Sequence, residues 1–332
     1  MRTTGVFGLA LLALASAGCG PAPVPEEPHP GPRWGHAFVY DPLRDNVVLF
    51  GGAPRRGEYR GDTWILSATG GEARWRLHDG PGPGARGFAA TAFHPERGTV
   101  MLHGGRGADG STLTDTWEWD GASWRSLGAS EYRADHHRMV HLPESGSLVA
   151  FGGWDGDGVL GSTWSWDGVW TQVDIDGPPP RSAFGLAYDP GRRRAVLHGG
   201  LWINGQYADV WEWDGVAWRQ VGGPYDNSSV DHNSMSYFPA AGRVLSFGGK
   251  NYRYQPLARL SAIREGRVQS LGAAGEGVEA PTPRHSTDLT YDSRRGRLLL
   301  YGGKYYRLDE QLALADLWAW DGESWSRLDP AD

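Results

Sequence analysis

Six short segments of the sequence could bring polar chemistry together in the folded chain. Four begin with arginine and two carry an Asp-His pair; in order they are Arg33-Trp34-Gly35-His36, Arg86-Gly87-Phe88-Ala89, Ala134-Asp135-His136-His137, Arg181-Ser182-Ala183-Phe184, Val230-Asp231-His232-Asn233 and Arg284-His285-Ser286-Thr287. A guanidinium group offers a fork of hydrogen-bond donors that suits planar anions. Aspartate accepts hydrogen bonds, and histidine titrates near neutral pH. These segments are therefore candidates for a ligand site.

The unequal distribution of arginine and Asp-His over the six segments indicates one specialised site on a repeated scaffold. We predict that the ligand-binding residues are Arg33, Arg86, Asp135, His136, His137, Arg181, Asp231, His232, Asn233 and Arg284. The arginines have an alternative interpretation, in which they pair with backbone groups between repeats. The sequence lacks a phosphate loop, zinc-ligand spacing and a calcium-loop pattern, so no metal or cofactor is predicted.

The elements that must position these segments repeat along the chain. An apolar run ending in Gly-Gly occurs six times, at Gly51-Gly52, Gly104-Gly105, Gly152-Gly153, Gly199-Gly200, Gly248-Gly249 and Gly302-Gly303. The first glycines are 53, 48, 47, 49 and 54 residues apart. A Trp-containing run follows in every copy except the fifth. A period near fifty residues indicates one supersecondary unit per repeat.

Each repeat reads as four short strands separated by turn dipeptides. Asp-Pro, as at Asp41-Pro42, follows the first strand, and Asp-Gly, as at Asp120-Gly121, follows the third. The pattern resembles the kelch repeat from Arg33 to the C-terminus. That resemblance implies an all-β, six-bladed kelch-type β-propeller with four antiparallel strands per blade. We expect the repeated Trp residues to fill the space between blades.

The loops that follow each Gly-Gly pair should emerge on the same face as the six segments, at one mouth of the central channel. They carry aromatic residues that we predict to be exposed on this face: Trp154, Trp202, Tyr252, Tyr254, Tyr305 and Tyr306. Flat apolar surfaces bordered by charge suit sugars or peptide segments. The alternative interpretation is that several of these rings only seal loop packing.

The N-terminus predicts export and lipidation. Arg2 precedes an apolar run, and small residues lead into Cys19, the only cysteine of the chain. This resembles a bacterial lipoprotein signal, and Gly20 after the cysteine favours the outer membrane by the same resemblance. We therefore expect a signal peptide at residues 1–18, a lipidated Cys19 with a Pro-rich tether at 19–32, and the propeller at 33–332. An ordinary cleaved signal with an incidental cysteine is the alternative.

Charge and motifs narrow the function. A net charge of -7 without Lys/Arg-rich runs argues against nucleic acid. Our main hypothesis is a non-enzymatic module, lipid-anchored in the bilayer of the cell envelope, that binds an envelope protein or glycan. The alternative is a sugar-modifying enzyme of the mutarotase or lyase kind at the channel mouth. A copper oxidase, which the resemblance also brings in, would need a cysteine beside its tyrosine, and Cys19 lies in the predicted leader region.

Overall fold

The computed structural model shows a β-propeller of six blades, each a four-stranded antiparallel sheet. It describes residues 28–69, 72–223, 229–272, 279–307 and 310–328. The predicted all-β class, blade number and strand number are confirmed. Within the described ranges, the one helical element is a 3-10 turn at Pro239–Ala241, and no helix is long and apolar enough to cross a bilayer. The predicted signal peptide and Cys19 lie outside the described residues.

The first three blades follow one another along the chain. Blade 1 contains β1 (Ala37–Asp41), β2 (Asn46–Phe50), β3 (Thr63–Thr69) and β4 (Glu72–His78). Blade 2 contains β6 (Ala90–His94), β7 (Thr99–His103), β9 (Asp115–Trp119) and β10 (Trp124–Ala129), with the short pair β5 (Arg86–Gly87) and β8 (Arg106–Gly107) beside it. Blade 3 contains β11 (Arg138–Leu142), β12 (Ser147–Phe151), β13 (Thr163–Trp166) and β14 (Trp170–Val173).

The remaining blades repeat this order. Blade 4 contains β15 (Gly185–Asp189), β16 (Arg194–His198), β19 (Val210–Trp213) and β20 (Trp218–Gly222), with the short hairpin β17 (Leu201–Trp202) and β18 (Gly205–Gln206). Blade 5 contains β21 (Ser234–Phe238), β22 (Arg243–Phe247), β23 (Leu260–Arg264) and β24 (Arg267–Ser270). Blade 6 contains β25 (Asp288–Asp292), β26 (Arg297–Arg307), β27 (Glu310–Trp320) and β28 (Trp325–Arg327).

The innermost strands β1, β6, β11, β15, β21 and β25 pack side by side around the central channel. Among the described strands, none is exchanged between the first and last blades. Contacts between the two blades close the ring instead: Arg295 donates two hydrogen bonds to Asp45 at 2.8 and 3.0 Å, the Tyr40 amide donates to Thr290 Oγ1 at 3.0 Å, and backbone hydrogen bonds add to these. The ring is therefore closed by contacts between complete blades.

The apolar core lies between neighbouring blades. One cluster joins blades 1 and 2 through Phe50, Leu102, Trp119 and Trp124. The Trp124 indole N–H donates to Thr63 Oγ1 of the preceding blade at 2.9 Å, and Trp218 donates to Thr163 in the same way. Each sheet thus buries its faces against the neighbouring sheets. The Trp of the fourth strand contributes both apolar contact area and a hydrogen bond to this interface.

The Gly-Gly pairs let adjacent blades approach at the end of each second strand. A Cβ placed on Gly51 would lie 2.4 Å from the carbonyl oxygen of Arg86 in the next blade, with φ at +66°. The amide of Gly52 donates to that same carbonyl at 2.9 Å. All six pairs repeat this contact, so glycine is required both by its positive φ and by the close backbone approach.

The propeller has two different ends. We call the four-residue segments that directly precede the innermost strands the lead-in segments. These six segments and the loops after each Gly-Gly pair lie at one end of the propeller, the mouth face. The turns between first and second strands, and between third and fourth strands, lie at the other end, the turn face.

Candidate binding site at the channel mouth

A closed ring of backbone hydrogen bonds surrounds the mouth. The third residue of each lead-in segment donates its N–H to the carbonyl of the equivalent residue in the preceding blade, at 2.6–3.1 Å. Its six members are Gly35, Phe88, His136, Ala183, His232 and Ser286. All six have left-handed backbone, with φ between +51° and +62°. Five non-glycine residues in this conformation cost roughly 1–2 kcal/mol each, which the closed set of hydrogen bonds offsets.

The four lead-in arginines belong to the interior of their blades. The Arg181 guanidinium is fully buried and donates to both carboxylate oxygens of Asp209 at 2.6 and 2.8 Å, and to the Gly199 carbonyl at 3.0 Å. Trp211 donates to the same carboxylate at 2.7 Å. Arg33, Arg86 and Arg284 repeat this arrangement with Asp62, Asp115 and Asp316.

These contacts leave the arginine side chains no surface for a ligand. The predicted ligand-binding role of Arg33, Arg86, Arg181 and Arg284 is therefore not carried into the candidate site. The alternative interpretation, pairing with backbone groups between repeats, describes their contacts only in part: each guanidinium donates to a backbone carbonyl of its own blade, and it also pairs with an aspartate that the sequence reasoning missed. Burial alone would raise the pKa of Asp209, but the Arg181 and Trp211 donors outweigh it and hold that pKa below its usual value.

Blade 3 replaces the arginine by another group. Ala134 stands at the arginine position and Ser162 at the aspartate position. The Tyr132 hydroxyl donates to the Gly152 carbonyl at 2.9 Å, the bond that arginine makes elsewhere, and its ring stacks on Trp164. The next two residues of blade 3, Asp135 and His136, form a different arrangement at the mouth.

Asp135 and His136 form one hydrogen-bonded pair at the mouth. The His136 Nδ1 bonds the buried Asp135 carboxylate, which also accepts from Arg106 at 2.9 Å. Burial would raise the pKa of Asp135, but His136 and Arg106 together keep it lowered. The His136 ring is 21% exposed and stacks on Phe88 with centroids 3.7 Å apart. The imidazole is therefore the part of this pair that a ligand can touch.

Asp231 and His232 form the matching pair in blade 5. The His232 Nδ1 bonds Asp231, which also faces Lys250 Nζ at 3.3 Å and accepts from Gln206. The His232 side chain is 14% exposed. Burial lowers its pKa to about 4, although the Asp231 charge acts in the opposite direction. His232 is consequently neutral near pH 7.

The two Asp-His pairs are brought together by the ring. The His136 and His232 rings lie 5.5 Å apart, and His232 lies 5.5 Å from His285 of blade 6. His285 in turn stacks on Tyr306 at 5.4 Å. A continuous arc of aromatic rings therefore follows blades 2, 3, 5 and 6 around the mouth, which the sequence alone did not predict beyond its individual members.

Cations border this arc. Lys304 Nζ lies 4.6 Å from the Trp34 ring centroid and 5.8 Å from that of Tyr306. Burial, reinforced by the charges of Lys250 and Arg56, lowers the pKa of Lys304. Among the described residues no carboxylate lies within 4 Å of its ammonium group. An uncompensated ammonium beside aromatic faces favours an anionic or electron-rich ligand.

At and below the ring the channel contains a small cavity of about 30 Å³, lined by the six ring residues and by His36, His137, Arg138 and Thr287 among others. That volume holds roughly two or three water molecules. Arg138 of blade 3 reaches Asp288 of blade 6 across the channel at 3.4 Å. The predicted residues His137 and Asn233 are buried at this level, and the Asn233 amide donates to Ser246 Oγ.

The predicted loop aromatics divide into two groups. Trp202, Tyr252 and Tyr254 are 41–56% exposed on the loops of blades 4 and 5. Trp154, Tyr305 and Tyr306 are half-buried. Trp154 pairs through its backbone with Asp135, and Tyr305 and Tyr306 lie on the extended β26–β27 hairpin. The first group is available for contact, while the second also supports the mouth.

The fold and these repeated contacts define a six-bladed β-propeller with an aromatic and cationic mouth, whose repeats resemble the kelch repeat. No protein-family model matches the chain. It is 28% identical over 180 residues to an F-box/kelch-repeat protein of Arabidopsis thaliana, covering 47% of this chain and 37% of that protein. It is 29% identical over 99 residues to tRNA wybutosine-synthesizing protein 4 of Aspergillus fumigatus, covering 28% of this chain and 10% of that protein. The match thus spans well under half of either relative.

Proposed function

We propose that this protein is a non-enzymatic binding module that recognises a protein or glycan partner across its mouth face. The observation that carries the proposal is the small volume of the cavity in the channel, about 30 Å³. Sites that enclose small molecules usually have volumes of roughly 300–1,000 Å³. A ligand of this protein therefore lies over the mouth and contacts the surrounding loops.

The chemistry of the mouth face supports a partner with an acidic or hydroxyl-rich segment. Trp202, Tyr252 and Tyr254 offer exposed rings on adjacent blades, and Lys304 offers an ammonium group with no carboxylate within 4 Å among the residues that the structure describes. Aromatic rings beside cations are typical contact residues of protein interfaces and of sugar sites. The likeness to a kelch-repeat protein agrees with a binding role, as a matter of analogy.

The binding proposal is tested by removing exposed rings. The Cys19→Ser chain is screened against displayed acidic peptides and a glycan array, and affinity for the best ligand is compared in Trp202→Ala/Tyr252→Ala. Loss of interface aromatics costs about 2 kcal/mol or more, roughly thirtyfold in affinity. Val169→Ala/Val216→Ala removes two exposed apolar side chains from the turn face and should bind like the parent. Equal affinity in all three proteins would place binding elsewhere.

The proposal includes a location. We infer from the leader sequence that Cys19 is lipidated and holds the propeller on the cell envelope, at the outer membrane. Two lipid-type signals or several acyl chains are needed for stable anchoring. Cys19→Ser should move the protein from the detergent phase to the aqueous phase on phase partitioning, and mass spectrometry should lose the acyl mass. Parent protein without an acyl mass would refute this part alone.

A sugar-modifying enzyme is the second candidate, and the two Asp-His pairs favour it specifically. The His136 and His232 rings are 5.5 Å apart, each hydrogen-bonded to a buried carboxylate, as an acid-base pair would be. His136→Asn and His232→Asn keep a residue that tolerates left-handed backbone. If the parent speeds interconversion of a sugar's anomers in an NMR exchange experiment and both variants lose this by at least a hundredfold, the enzyme hypothesis replaces the binding module.

A further inference from the structure

Three potential metal ligands converge on the turn face, far from the mouth. They are His94 at the end of β6, Glu96 in the turn that follows, and His141 on β11. The Glu96 carboxylate oxygen Oε2 lies 3.2 Å from His94 Nδ1 and 2.8 Å from His141 Nε2. The three ligand atoms all lie within 4.8 Å of one another. The cluster therefore bridges blades 2 and 3.

Both imidazole nitrogens are buried without a well-formed hydrogen bond. His94 Nδ1 and His141 Nε2 lie within hydrogen-bonding distance of Glu96 Oε2, but neither has a well-aligned partner among the described residues. Their side chains are 5% and 9% exposed, whereas Glu96 is 51% exposed. A buried polar atom without a partner costs free energy, so such atoms call for an explanation. A cation between them would satisfy both.

The equivalent positions in other blades show what is unusual here. Where blade 3 has His141, the other five blades have Tyr40, Phe93, Tyr188, Tyr237 and Tyr291. At the next interface, Tyr188 of blade 4 donates to Glu144 at 2.7 Å, and Glu144 occupies the position of Glu96. His94 likewise replaces the aspartate of Asp41, Asp189 and Asp292. Two histidines thus replace scaffold residues at a single interface.

We propose that His94, Glu96 and His141 bind a divalent first-row transition cation of the Zn²⁺ type, with at least one position left for water. Two imidazoles and one carboxylate are a donor set that such cations favour. Ligand atoms bound tetrahedrally to Zn²⁺ at about 2.0–2.2 Å lie about 3.4 Å from one another. The two carboxylate–imidazole separations, 2.8 and 3.2 Å, are close to this value. The two imidazole nitrogens lie within 4.8 Å of each other, so binding would also adjust the histidine side chains.

The surroundings do not oppose a cation. The guanidinium of Arg97, whose charge acts on His94, is directed away: it donates to Glu118 at 2.9 Å, a carboxylate shared with Arg125, and lies over the Trp166 ring. The bound cation would link two blades directly, because its ligands come from each of them.

The test is metal binding by the chelator-stripped full-length Cys19→Ser chain, which also removes the thiol. Equilibrium dialysis against Zn²⁺ alone should give one equivalent per chain, and Co²⁺ in its place should give visible d–d absorption. His141→Tyr copies the Tyr188–Glu144 contact of the next interface, so it removes a ligand while keeping a partner for Glu96. This variant and Glu96→Gln should each lose at least tenfold in Zn²⁺ affinity.

The matched control is Glu144→Gln, which makes the same chemical change at the same turn of blade 3. It should bind Zn²⁺ as the parent does, because Glu144 faces a tyrosine and Arg193. Circular dichroism confirms that each variant is folded. The proposal is overturned if the parent binds no stoichiometric Zn²⁺, or if His141→Tyr and Glu96→Gln bind it as tightly as the parent. Neither result depends on the mouth face.

Discussion

At the scale of single residues, the lead-in arginines form ion pairs with aspartates near the start of the third strands, and the sequence shows this pairing only indirectly. Blades with Arg33, Arg86, Arg181 or Arg284 also have an aspartate two residues before the recurring Trp of the third strand, as Asp209 precedes Trp211. Blades 3 and 5 lose both members, with Ser162 and Arg259 at the aspartate position. This joint loss was the signal that could have assigned the arginines to the scaffold.

The buried Arg181–Asp209 pair gives the first prediction. Asp209→Asn leaves a fully buried guanidinium without its countercharge and should lower the free energy of unfolding by about 3 kcal/mol. Urea denaturation at pH 7 measures this. Glu144→Gln breaks the mostly exposed Arg193 pair and should cost less than about 1 kcal/mol. Similar losses in both variants would contradict the structural role assigned to Asp209.

The buried His36 side chain makes the stability of the protein depend on pH. Burial, helped by the charge of Arg33, lowers its pKa from 6.5 to about 3. Below pH 6.5 the unfolded chain therefore binds a proton that the folded chain does not, so stability is lost as the pH falls from 6.5 toward 3. His36→Phe, the side chain that blade 4 has in Phe184, should flatten this slope in urea titrations between pH 7 and pH 4. An unchanged slope would exclude His36 as its source.

At the scale of elements, local turn chemistry and the Gly-Gly runs were enough to predict every blade. The strands expected in the first repeat occur as β1 to β4, and the fifth repeat forms a complete blade although its Trp residues are lost. The left-handed backbone conformation of the ring residues was not predictable, because Phe88 and Ala183 have no preference for positive φ. Contacts between blades impose that conformation, and they cannot be read from one repeat.

The Gly-Gly contact gives the element-scale prediction. Gly199→Ala places a Cβ 2.3 Å from the Val230 carbonyl at φ +75°, so it adds a clash to the backbone strain. Gly215→Ala also has positive φ, +97°, but nothing lies within 4 Å of its Cβ. We expect a loss of about 1–2 kcal/mol for Gly215→Ala and a clearly larger one for Gly199→Ala in urea unfolding. Equal losses would mean that strain alone sets the glycine requirement.

At the scale of the whole molecule, blades 6 and 1 meet without a connecting chain segment. The other five interfaces join blades that are consecutive in sequence. Closure therefore depends on contacts such as Arg295 with Asp45 and the core around Phe38 and Tyr301. Repeat counting gave the number of blades, whereas the means of closure involves residues 250 positions apart and has no local signal.

Closure gives the whole-molecule prediction. Arg295→Ala should destabilise the protein by about 1 kcal/mol and raise amide hydrogen exchange first at the 6–1 interface, because no peptide link holds those blades together. Arg193→Ala removes a single, more exposed interblade pair between blades 3 and 4, where the chain is continuous. Its effect on exchange should stay local and small. Equal exchange profiles would mean that closure is no weaker than the other interfaces.

The backbone ring around the mouth has a consequence for how such a surface can change over time. Its six peptide groups satisfy one another and hold the same geometry whether the side chain is absent, as in Gly35, or is the imidazole of His136. Each blade therefore presents one side chain from a fixed point on the circle. A new binding specificity can therefore arise by substituting these six residues one at a time, while the backbone of the propeller stays unchanged.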